Sequence, residues 1–439
     1  MLAHNTHVNE REDHAKRLGL CLKHFDEYVS SANHAYDVIR DLGPFYGRED
    51  VKDPTFRITA QPVKLPKGSK AQLTTFGNDL YHLGRALQLL PQEQKKKLGK
   101  SLDFRIPPTW RIDAIVNEQG QLKVNEVEGV DSANALMMAE QLAYDLQTFE
   151  ESTAAKIIPT FKAMATHKKK HYRLAFIRNI FPYNPHTVNH ERLIKFIKIL
   201  SKGTITSDLL DEENIRTGVI MPDWSKYDGI INHTSLTPEE IYSMGVKEEQ
   251  LYAAGNYNAM VNKGVFALLF DPELKEFWLE KLGKERFDRL TSLLIPTRFV
   301  TSIEDLENAR KAGKVVKVSW ADKKTELINR SKGVAMPVDS LVQGEDERWD
   351  TLKELFSQGV TLIIQDFVMP TKIHAMLRKK GFTLEPVDWY NRVCVKYVAE
   401  DNPNIDITPS VALTATEVTL GPEIIPAGRN CAFTAGKLS

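Results

Sequence analysis

The sequence is short of cysteine and has no surplus of charge of either sign. Its 439 residues include three cysteines, none in a Cys-x-x-Cys pair, which excludes a disulfide framework and favours a reducing compartment. Basic and acidic residues both number 58, so no net charge attracts the chain to nucleic acid or anionic lipid. No apolar run reaches the roughly 18 residues of a transmembrane helix, and the charged N-terminus lacks the apolar core of a signal peptide. We therefore expect a cytoplasmic protein that binds neither nucleic acid nor membranes.

Three common sequence motifs of enzymes are also missing. The chain contains no GxxxxGK[ST] loop, no GxGxxG turn and no GxSxG elbow, so P-loop, dinucleotide-binding and α/β-hydrolase sites lack their defining signals. The apolar fraction of 42% and the charged fraction of 26% are ordinary for a globular protein. The composition therefore predicts a mixed α/β protein, and the length predicts several units.

The changing pattern of apolar and polar residues divides the chain into four predicted units. Residues 1–100 form an N-terminal helical region, and residues 101–165 contain an acidic hairpin followed by a helix. Residues 166–250 alternate between strand and helix, as in a small Rossmann-like unit. Residues 251–439 begin with helices and continue mainly as strands. In the Rossmann-like unit, ligands are expected beyond the carboxyl ends of the strands, near residues 179–183 and 232–234.

The acidic hairpin is the most informative stretch of the chain. Residues 110–116 and 121–128 alternate in the manner of strands, and a polar segment ending in glycine supplies the turn. Side chains two apart on a strand point the same way, so Glu126 and Glu128 share a face that Asp113 can join from the partner strand. Three carboxylate ligands suit Mg²⁺. The alternative is a solvated edge hairpin with ordinary surface acids.

Two lysines in apolar surroundings form a second set of candidates. Lys317 lies in the middle of the strand KVVKVSW, and burying an ammonium group without a partner is unfavourable. An anionic ligand is the partner that this placement predicts. Lys263 lies earlier in the chain, at the start of an apolar helix. The alternative for each lysine is a side chain that lies along the apolar surface with its charge in water.

A polar loop and a second apolar strand follow Lys317. The loop covers residues 321–333 and offers a hydroxyl, cations and backbone N–H groups to a phosphate. The strand TLIIQDFV then ends near Gln365 and Asp366, where amide and backbone groups could recognise a nucleobase edge. The loop residues proposed for phosphate are Ser331, Lys332 and Gly333.

The order of these features resembles the ATP-grasp fold, in which two lysines, a mobile loop and an apolar strand surround a nucleotide. The hairpin resembles the glutathionylspermidine synthase branch of that superfamily, where the magnesium ligands precede the lysines in a permuted order. That branch carries Arg-x-Asp, then Glu-x-Asn, then a hydroxyl residue that opens a helix. The matching residues here are Arg111, Asp113, Glu126, Glu128 and Ser132, with Glu128 in place of the family's asparagine. The resemblance covers about residues 105–435.

The resemblance implies an ATP- and Mg²⁺-dependent carboxylate–amine ligase. In such an enzyme ATP phosphorylates a carboxylate, and an amine then attacks the acyl phosphate to give an amide. The fold it implies is ATP-grasp-like, with a Rossmann-like subdomain and N-terminal helices. The residues to which it assigns roles are Asp113, Glu126 and Glu128 for magnesium, Arg111 and Ser132 for catalysis, and Lys263, Lys317, Ser331, Lys332, Gly333, Gln365, Asp366, Phe367 and Arg392 for ATP.

Two other functions are compatible with the same residues. One is a non-catalytic protein that binds a nucleotide or a peptide, and the other is a phosphotransferase on the same scaffold. Arg111 beside three carboxylates favours the ligase, because a binding protein has no need of a catalytic arginine next to a metal site. The expected substrates are a small-molecule or peptide carboxylate and an amine, neither of which the sequence identifies. The sequence also gives no indication of the oligomeric state.

Overall fold

The structure is a computed structural model. Over the residues it describes, three β-sheets are flanked by helices, which confirms the mixed α/β class. Among these helices, none combines the length and the apolarity that a membrane span requires. The predicted helix opening at Ser132 and the first 56 residues lie outside the described part, so the division into four units stays a prediction. The described residues are 57–59, 63–128, 153–178, 186–234, 236–319, 334–335, 345–378, 384–399, 410–417 and 431–437.

The helices and strands have the following bounds. The α-helices are α1 (Ser69–Gln88), α2 (Gln92–Leu98), α3 (Thr153–Met164), α4 (His186–Leu200), α5 (Glu212–Arg216), α6 (Pro238–Ser243), α7 (Gly264–Leu269), α8 (Lys275–Leu282), α9 (Lys284–Leu293), α10 (Ile303–Lys311) and α11 (Glu345–Ser357). The strands are β1 (Arg57–Thr59), β2 (Val63–Lys64), β3 (Thr109–Val116), β4 (Leu122–Glu128), β5 (Tyr172–Arg178), β6 (Ile205–Asp211), β7 (Gly229–His233), β8 (Leu251–Ala253), β9 (Thr297–Phe299), β10 (Val315–Val318), β11 (Val334–Ala335), β12 (Leu362–Gln365), β13 (Lys372–Arg378), β14 (Leu384–Val398), β15 (Ser410–Glu417) and β16 (Cys431–Lys437).

The largest sheet has eight strands and carries the acidic hairpin at one end. Its main path runs β13-β1-β16-β15-β14-β3-β4, with β2 beside β16. A further pairing between β13 and β14 closes a circuit through β1, β16 and β15. Strand β3 therefore lies between β4 and β14, and all eight of its residues are buried. The backbone groups of β3 are therefore paired on both sides, with β4 on one edge and β14 on the other.

A polar turn joins β3 to β4 at the predicted place. The Asn117 side-chain oxygen accepts hydrogen bonds from the backbone N–H groups of Gln119 (3.1 Å) and Gln121 (2.8 Å). Gly120 adopts a φ of 73°, a left-handed conformation that favours glycine. Asparagine is suited to this position because its short side chain can bond to the backbone two residues on. The turn holds the two acidic strands in a fixed register.

A four-stranded antiparallel sheet carries the second set of candidate residues. Its order is β11-β10-β12-β9. On one face Val316, Val318 and Ile364 pack with Trp349 of α11 and Leu306 of α10 in an apolar core. Because alternate residues of a strand face opposite sides, the lysine in β10 and the glutamine at the end of β12 lie on the other face. Leu294, which precedes β9 by three residues, forms a bridge with Val124 of β4 and so brings the start of this sheet beside the hairpin.

A parallel sheet, ordered β6-β5-β7-β8, accounts for the Rossmann-like part of the fold. Two polar residues at the end of β7 form hydrogen bonds within the protein. Asn232 is fully buried, its oxygen accepts from Thr234, and its amide donates to the Leu236 carbonyl at 2.8 Å. Asn232 and Thr234 therefore fix the chain as it leaves the strand, and the ligand site expected at residues 232–234 stays a prediction. Residues 179–183, where a ligand is also expected, lie outside the described part of the chain.

Helices of the N-terminal and central parts cover the hairpin. Side chains of α1, α7, α8 and α9 pack in one core with Trp110 and Val124 of β3 and β4. Asp79 of α1 is buried and accepts two hydrogen bonds from Arg289 of α9, at 2.8 and 2.9 Å. Arg286 lies 3.4 Å from the same carboxylate. These contacts tie the helical layer together behind the face that carries the candidate site.

Candidate functional site

A β-bulge aligns the acidic residues of the hairpin. Asp113 pairs with Glu126 and Ala114 pairs with Val124, so Asn125 is an extra residue on β4. Beyond the bulge, Arg111 pairs with Glu128. Ligand oxygens of the three carboxylates, one from each acidic residue, all lie within 4.8 Å of one another. The structure thus brings Asp113, Glu126 and Glu128 into one cluster.

The hairpin is not a solvated edge. Asp113 is fully buried, and the side chain of Glu126 is only 15% exposed. One flank of β3 is covered by β14, which is paired with it through Cys394 and Asp113. Burial raises the pKa of the Cys394 thiol to about 12, so this cysteine is not a nucleophile at neutral pH. The alternative of ordinary surface acids is wrong, because surface acids are exposed to water whereas Asp113 lies on an inner strand and is fully buried.

Two arginines hold the carboxylate of Asp113. Arg111 donates from Nε to Oδ1 at 2.8 Å and from Nη2 to Oδ2 at 3.1 Å. Arg392 of β14 places its Nη1 3.3 Å from Oδ2. Burial is the largest single effect and would lower the pKa of Arg111, but the groups around it, Asp113 foremost, together outweigh burial and raise that pKa. Both oxygens of this carboxylate therefore already have cationic partners.

Lys263 comes to the acidic cluster from a different part of the chain. Its Nζ lies 3.3 Å from Oε2 of Glu126. Burial would raise the pKa of Glu126, but the surrounding cations, Lys263 and Lys317 foremost and then the two arginines, together lower the pKa to about 2. Burial likewise opposes the charge of Lys263, whereas Glu126 and Glu128 raise its pKa. Lys263 and Glu126 are accordingly both charged at neutral pH.

Among the described residues, none provides a carboxylate partner of this kind to Lys317. Its Nζ donates to Oε1 of Gln365 at 2.9 Å. Burial lowers the pKa of Lys317, and repulsion by Lys263 acts in the same direction. The negative charge of Glu126 opposes these effects but does not cancel them. A buried ammonium whose hydrogen-bonded partner is a neutral amide is poised to receive an anion. The strand pairing fixes this position, since Lys317 lies opposite Ile363, two residues before Gln365.

The side chain of Gln365 is occupied within the protein. Its Nε2 donates to the backbone carbonyl of Asn125 at 3.2 Å and to Oγ1 of Thr297 at 3.1 Å. Its oxygen already accepts from Lys317. Gln365 is therefore buried and hydrogen-bonded rather than the exposed amide that its strand-end position predicts, and its role at a nucleobase stays a prediction. Gln365 joins the bulge of β4 to the lysine of β10.

The two residues that follow β12 are Asp366 and Phe367. The carboxylate of Asp366 accepts from Nζ of Lys314 at 2.8 Å, so its side chain forms an ion pair at the end of the sheet. Phe367 is half-buried. The remaining predicted residues lie outside the described part of the chain, and they are Ser132, Ser331, Lys332 and Gly333.

Glu128 differs electrostatically from the other two acids. Burial and the nearby Glu126 raise its pKa, although Arg111 acts in the opposite direction. With every group ionised, four cations face three carboxylates, which leaves the cluster with one net positive charge. Such a site attracts a polyanion while offering oxygen ligands to a divalent cation. The four cations and three carboxylates are Arg111, Lys263, Lys317, Arg392, Asp113, Glu126 and Glu128.

Two residues of the site are not apparent in the sequence pattern. Asn125 occupies the bulge, and its side-chain oxygen is buried without a hydrogen-bond partner among the described residues. Ser319 follows β10 and is fully buried. The alternation of NEVE gives no sign of a bulge, because one extra residue leaves the letters unchanged. The proximity of Ser319 to Lys263 is a contact between distant segments.

Comparisons with known proteins bear on the fold. No family model and no curated protein matches the chain. A glutathione synthetase-like effector from Globodera pallida, solved in its apo form, is similar with a TM-score of 0.53 and 10% identity, covering 94% of this chain and 97% of that one. A candidate γ-glutamylcysteine synthetase from Methylobacillus flagellatus matches with a TM-score of 0.40 and 11% identity, covering 83% and 86% of the two chains. The first likeness shows that this chain shares the mixed α/β fold of that glutathione synthetase-like protein.

Proposed function

We propose that the protein is an ATP- and Mg²⁺-dependent carboxylate–amine ligase. The observation that carries this proposal is the meeting, in one buried site, of three carboxylates from β3 and β4 with Lys263 and Lys317 from two other segments. The fold shared with a glutathione synthetase-like protein supports it, and the order of motifs resembles the glutathionylspermidine synthase branch. A cytoplasmic location, favoured by the low cysteine content, belongs to the same proposal.

The acidic cluster fits a magnesium ion. Its oxygen ligands are within 4.8 Å of one another, and carboxylates are the hard ligands that Mg²⁺ prefers. Glu126 and Glu128 would hold the ion, and Asp113 would join them if Arg111 released one of its oxygens. When bound, the ion neutralises charge on the phosphates of ATP. Because the pKa of Glu128 is raised and that of Glu126 is lowered, Glu128 is the more readily protonated of the two ligands before the ion arrives.

The lysines and the end of β12 would bind the nucleotide. Lys263 and Lys317 supply positive charge to the phosphates, and Gln365 holds the ammonium group of Lys317 in place. The backbone near Phe367 would lie against adenine, while the side chain of Asp366 stays with its lysine partner. Ser331, Lys332 and Gly333 keep their proposed role at the phosphates. These contacts position the γ-phosphate for transfer rather than react with it.

The reaction itself has two steps. A carboxylate oxygen of the first substrate attacks the γ-phosphorus, the bond to ADP breaks, and an acyl phosphate forms. The amine nitrogen then attacks the acyl carbon, inorganic phosphate leaves, and the nitrogen loses a proton. Arg111 and Arg392 would stabilise the negative charge that develops in both steps, because a guanidinium matches phosphate and carboxylate oxygens. Ser132 is the proposed contact for an anionic substrate group.

One observation favours a second candidate, a nucleotide-binding protein without catalysis. Both oxygens of Asp113 are bonded to Arg111, so one metal ligand and the catalytic arginine neutralise each other. A protein in which this pair never opens would bind ATP and release no ADP. The ligase requires the pair to open when substrates bind.

Product analysis tests the proposal. Purified protein is given MgATP with paired panels of carboxylates and amines, ADP release is measured, and products are identified by mass spectrometry. The ligase yields ADP with an amide, a phosphotransferase yields ADP with a phosphorylated acceptor, and a binding protein yields neither. Glu126→Gln should abolish turnover, whereas Asp208→Asn, an exposed acid of the parallel sheet, should not. Equal turnover in wild type and Glu126→Gln would place the chemistry elsewhere.

A further inference from the structure

We infer that the hydroxyl of Ser319 is a further ligand contact, which donates a hydrogen bond to a phosphate oxygen of the bound nucleotide. The inference rests on the proposed function and extends its site by one residue. Neither the motifs of the sequence nor the resemblance assigns a role to this serine. Its placement, its burial and the chemistry of its neighbours carry the argument.

Ser319 lies between the two lysine-bearing segments. Its backbone N–H donates to the carbonyl of Thr361 at 3.0 Å, so it continues the pairing of β10 with β12. Because side chains alternate along a strand, its hydroxyl is on the same face as Lys317, two residues earlier. Its carbonyl accepts the backbone N–H of Lys263 at 2.8 Å. The serine therefore holds the start of the Lys263 helix against the strand of Lys317.

The hydroxyl of Ser319 is buried without a partner. The residue is fully buried, and its Oγ has no hydrogen bond to any of the described residues. Leaving a buried hydroxyl unpaired is destabilising, because the group gives up its hydrogen bonds to water and gains none in the protein. Most buried polar groups are paired, so an unpaired one beside a cluster of charges indicates a place where a ligand completes the bonding. Alanine in this position would avoid the cost.

The neighbouring charges indicate which ligand group completes the bonding. The ammonium groups of Lys263 and Lys317 have only N–H donors, so neither can accept the hydroxyl proton of Ser319. The missing group must be an acceptor, and the local positive charge selects a negative one. A phosphate oxygen held by the two lysines meets both conditions. Hydrogen bonds to charged groups are stronger than those between neutral groups.

The test uses Ser319→Ala, with Ser207→Ala as the matched control. Ser207 of β6 also has a buried hydroxyl without a partner among the described residues, but it lies in the parallel sheet. Binding of MgATP and of magnesium tripolyphosphate is measured by calorimetry, and thermal unfolding is measured without ligand. For Ser319→Ala we expect affinity for both ligands to fall by about tenfold or more, and unfolding temperature to stay level or rise. Ser207→Ala should bind as wild type does.

Each outcome bears on the inference. Unchanged affinity in Ser319→Ala overturns it, as does a loss for MgATP that tripolyphosphate does not share. A Ser319→Ala protein that fails to fold is replaced by Ser319→Cys, whose weak S–H donor should give a smaller loss of affinity; wild-type affinity there overturns the inference. If wild type binds both ligands and only the serine prediction fails, the proposed function stands. If wild type binds neither, the proposed function fails and this inference with it.

Discussion

Replacing Asp113 by asparagine should destabilise the protein strongly. Asp113 is fully buried, and the side chains of its partners Arg111 and Arg392 are 9% and 20% exposed. Asparagine keeps the shape and one acceptor oxygen but removes the charge that both guanidinium groups face. Removing one member of a buried ion pair typically costs about 3–5 kcal/mol, because the remaining charge stays buried.

The lower end of that range applies here. Glu126 and Glu128 lie close to Asp113 and retain part of the negative charge that the arginines require. A loss of about 3 kcal/mol corresponds to a fall of roughly 6–12 °C in unfolding temperature, using about 2–4 °C per kcal/mol for a domain of 150–250 residues. Thermal unfolding followed by circular dichroism, without ligand, measures the change.

A matched control separates this effect from a general loss of charge. Asp208 pairs with Arg173 on the surface of the parallel sheet, where their side chains are 37% and 48% exposed. Exposed pairs contribute about 0–1 kcal/mol, so Asp208→Asn should shift the unfolding temperature little. If Asp113→Asn has the same unfolding temperature as wild type, the paired arginines do not depend on this carboxylate, and the account of the cluster is wrong.

Three further predictions concern Lys317 of the same cluster, a histidine of the helical layer, and two glycines. Lys317→Met should leave the unliganded protein at least as stable but weaken MgATP binding more than tenfold, since it removes a desolvated cation; unchanged binding would contradict its role. Burial and two nearby arginines lower the pKa of His82, so the folded state binds its proton less readily than the unfolded state. The free energy of unfolding should therefore decrease as the pH falls below 6.5, and His82→Gln should reduce this pH dependence in urea titrations. An identical pH dependence in the variant and in wild type would refute the prediction. Gly229→Ala should lower the urea midpoint more than Gly84→Ala, because its added methyl would lie 2.3 Å from the rigid Tyr252 ring whereas the other meets a flexible methionine.

The hairpin is the part of the fold that the sequence predicted best. Alternation and a turn segment are local signals, so the strands at 109–116 and 122–128 match the expectation within one residue at each end. The shared face of Glu126 and Glu128 follows from the same periodicity. Lys317 was identifiable because a cation inside a β-branched run conflicts with its surroundings. These predictions need no knowledge of distant contacts.

The rest of the site depends on contacts between distant segments. Burial of Asp113 follows from pairing with β14, far along the chain, which no local pattern indicates. The same holds for the contact of Lys263 with Glu126 and for Ser319. Gln365 shows the opposite error, because its position at a strand end predicted an exposed amide. Three internal hydrogen bonds instead occupy it.

Calorimetric titration of ATP, with and without Mg²⁺, into wild type and Glu126→Gln tests the central claim most directly. For each protein, the ratio of the ATP affinity with Mg²⁺ to the ATP affinity without it measures the contribution of the metal. A change in the amount of folded protein affects both affinities and cancels in the ratio. The account predicts that wild type binds ATP more tightly with Mg²⁺ and that Glu126→Gln loses most of this difference, while Asp208→Asn retains it. An equal ratio in wild type and Glu126→Gln, or no binding of ATP by wild type, would contradict a nucleotide and metal site at the hairpin.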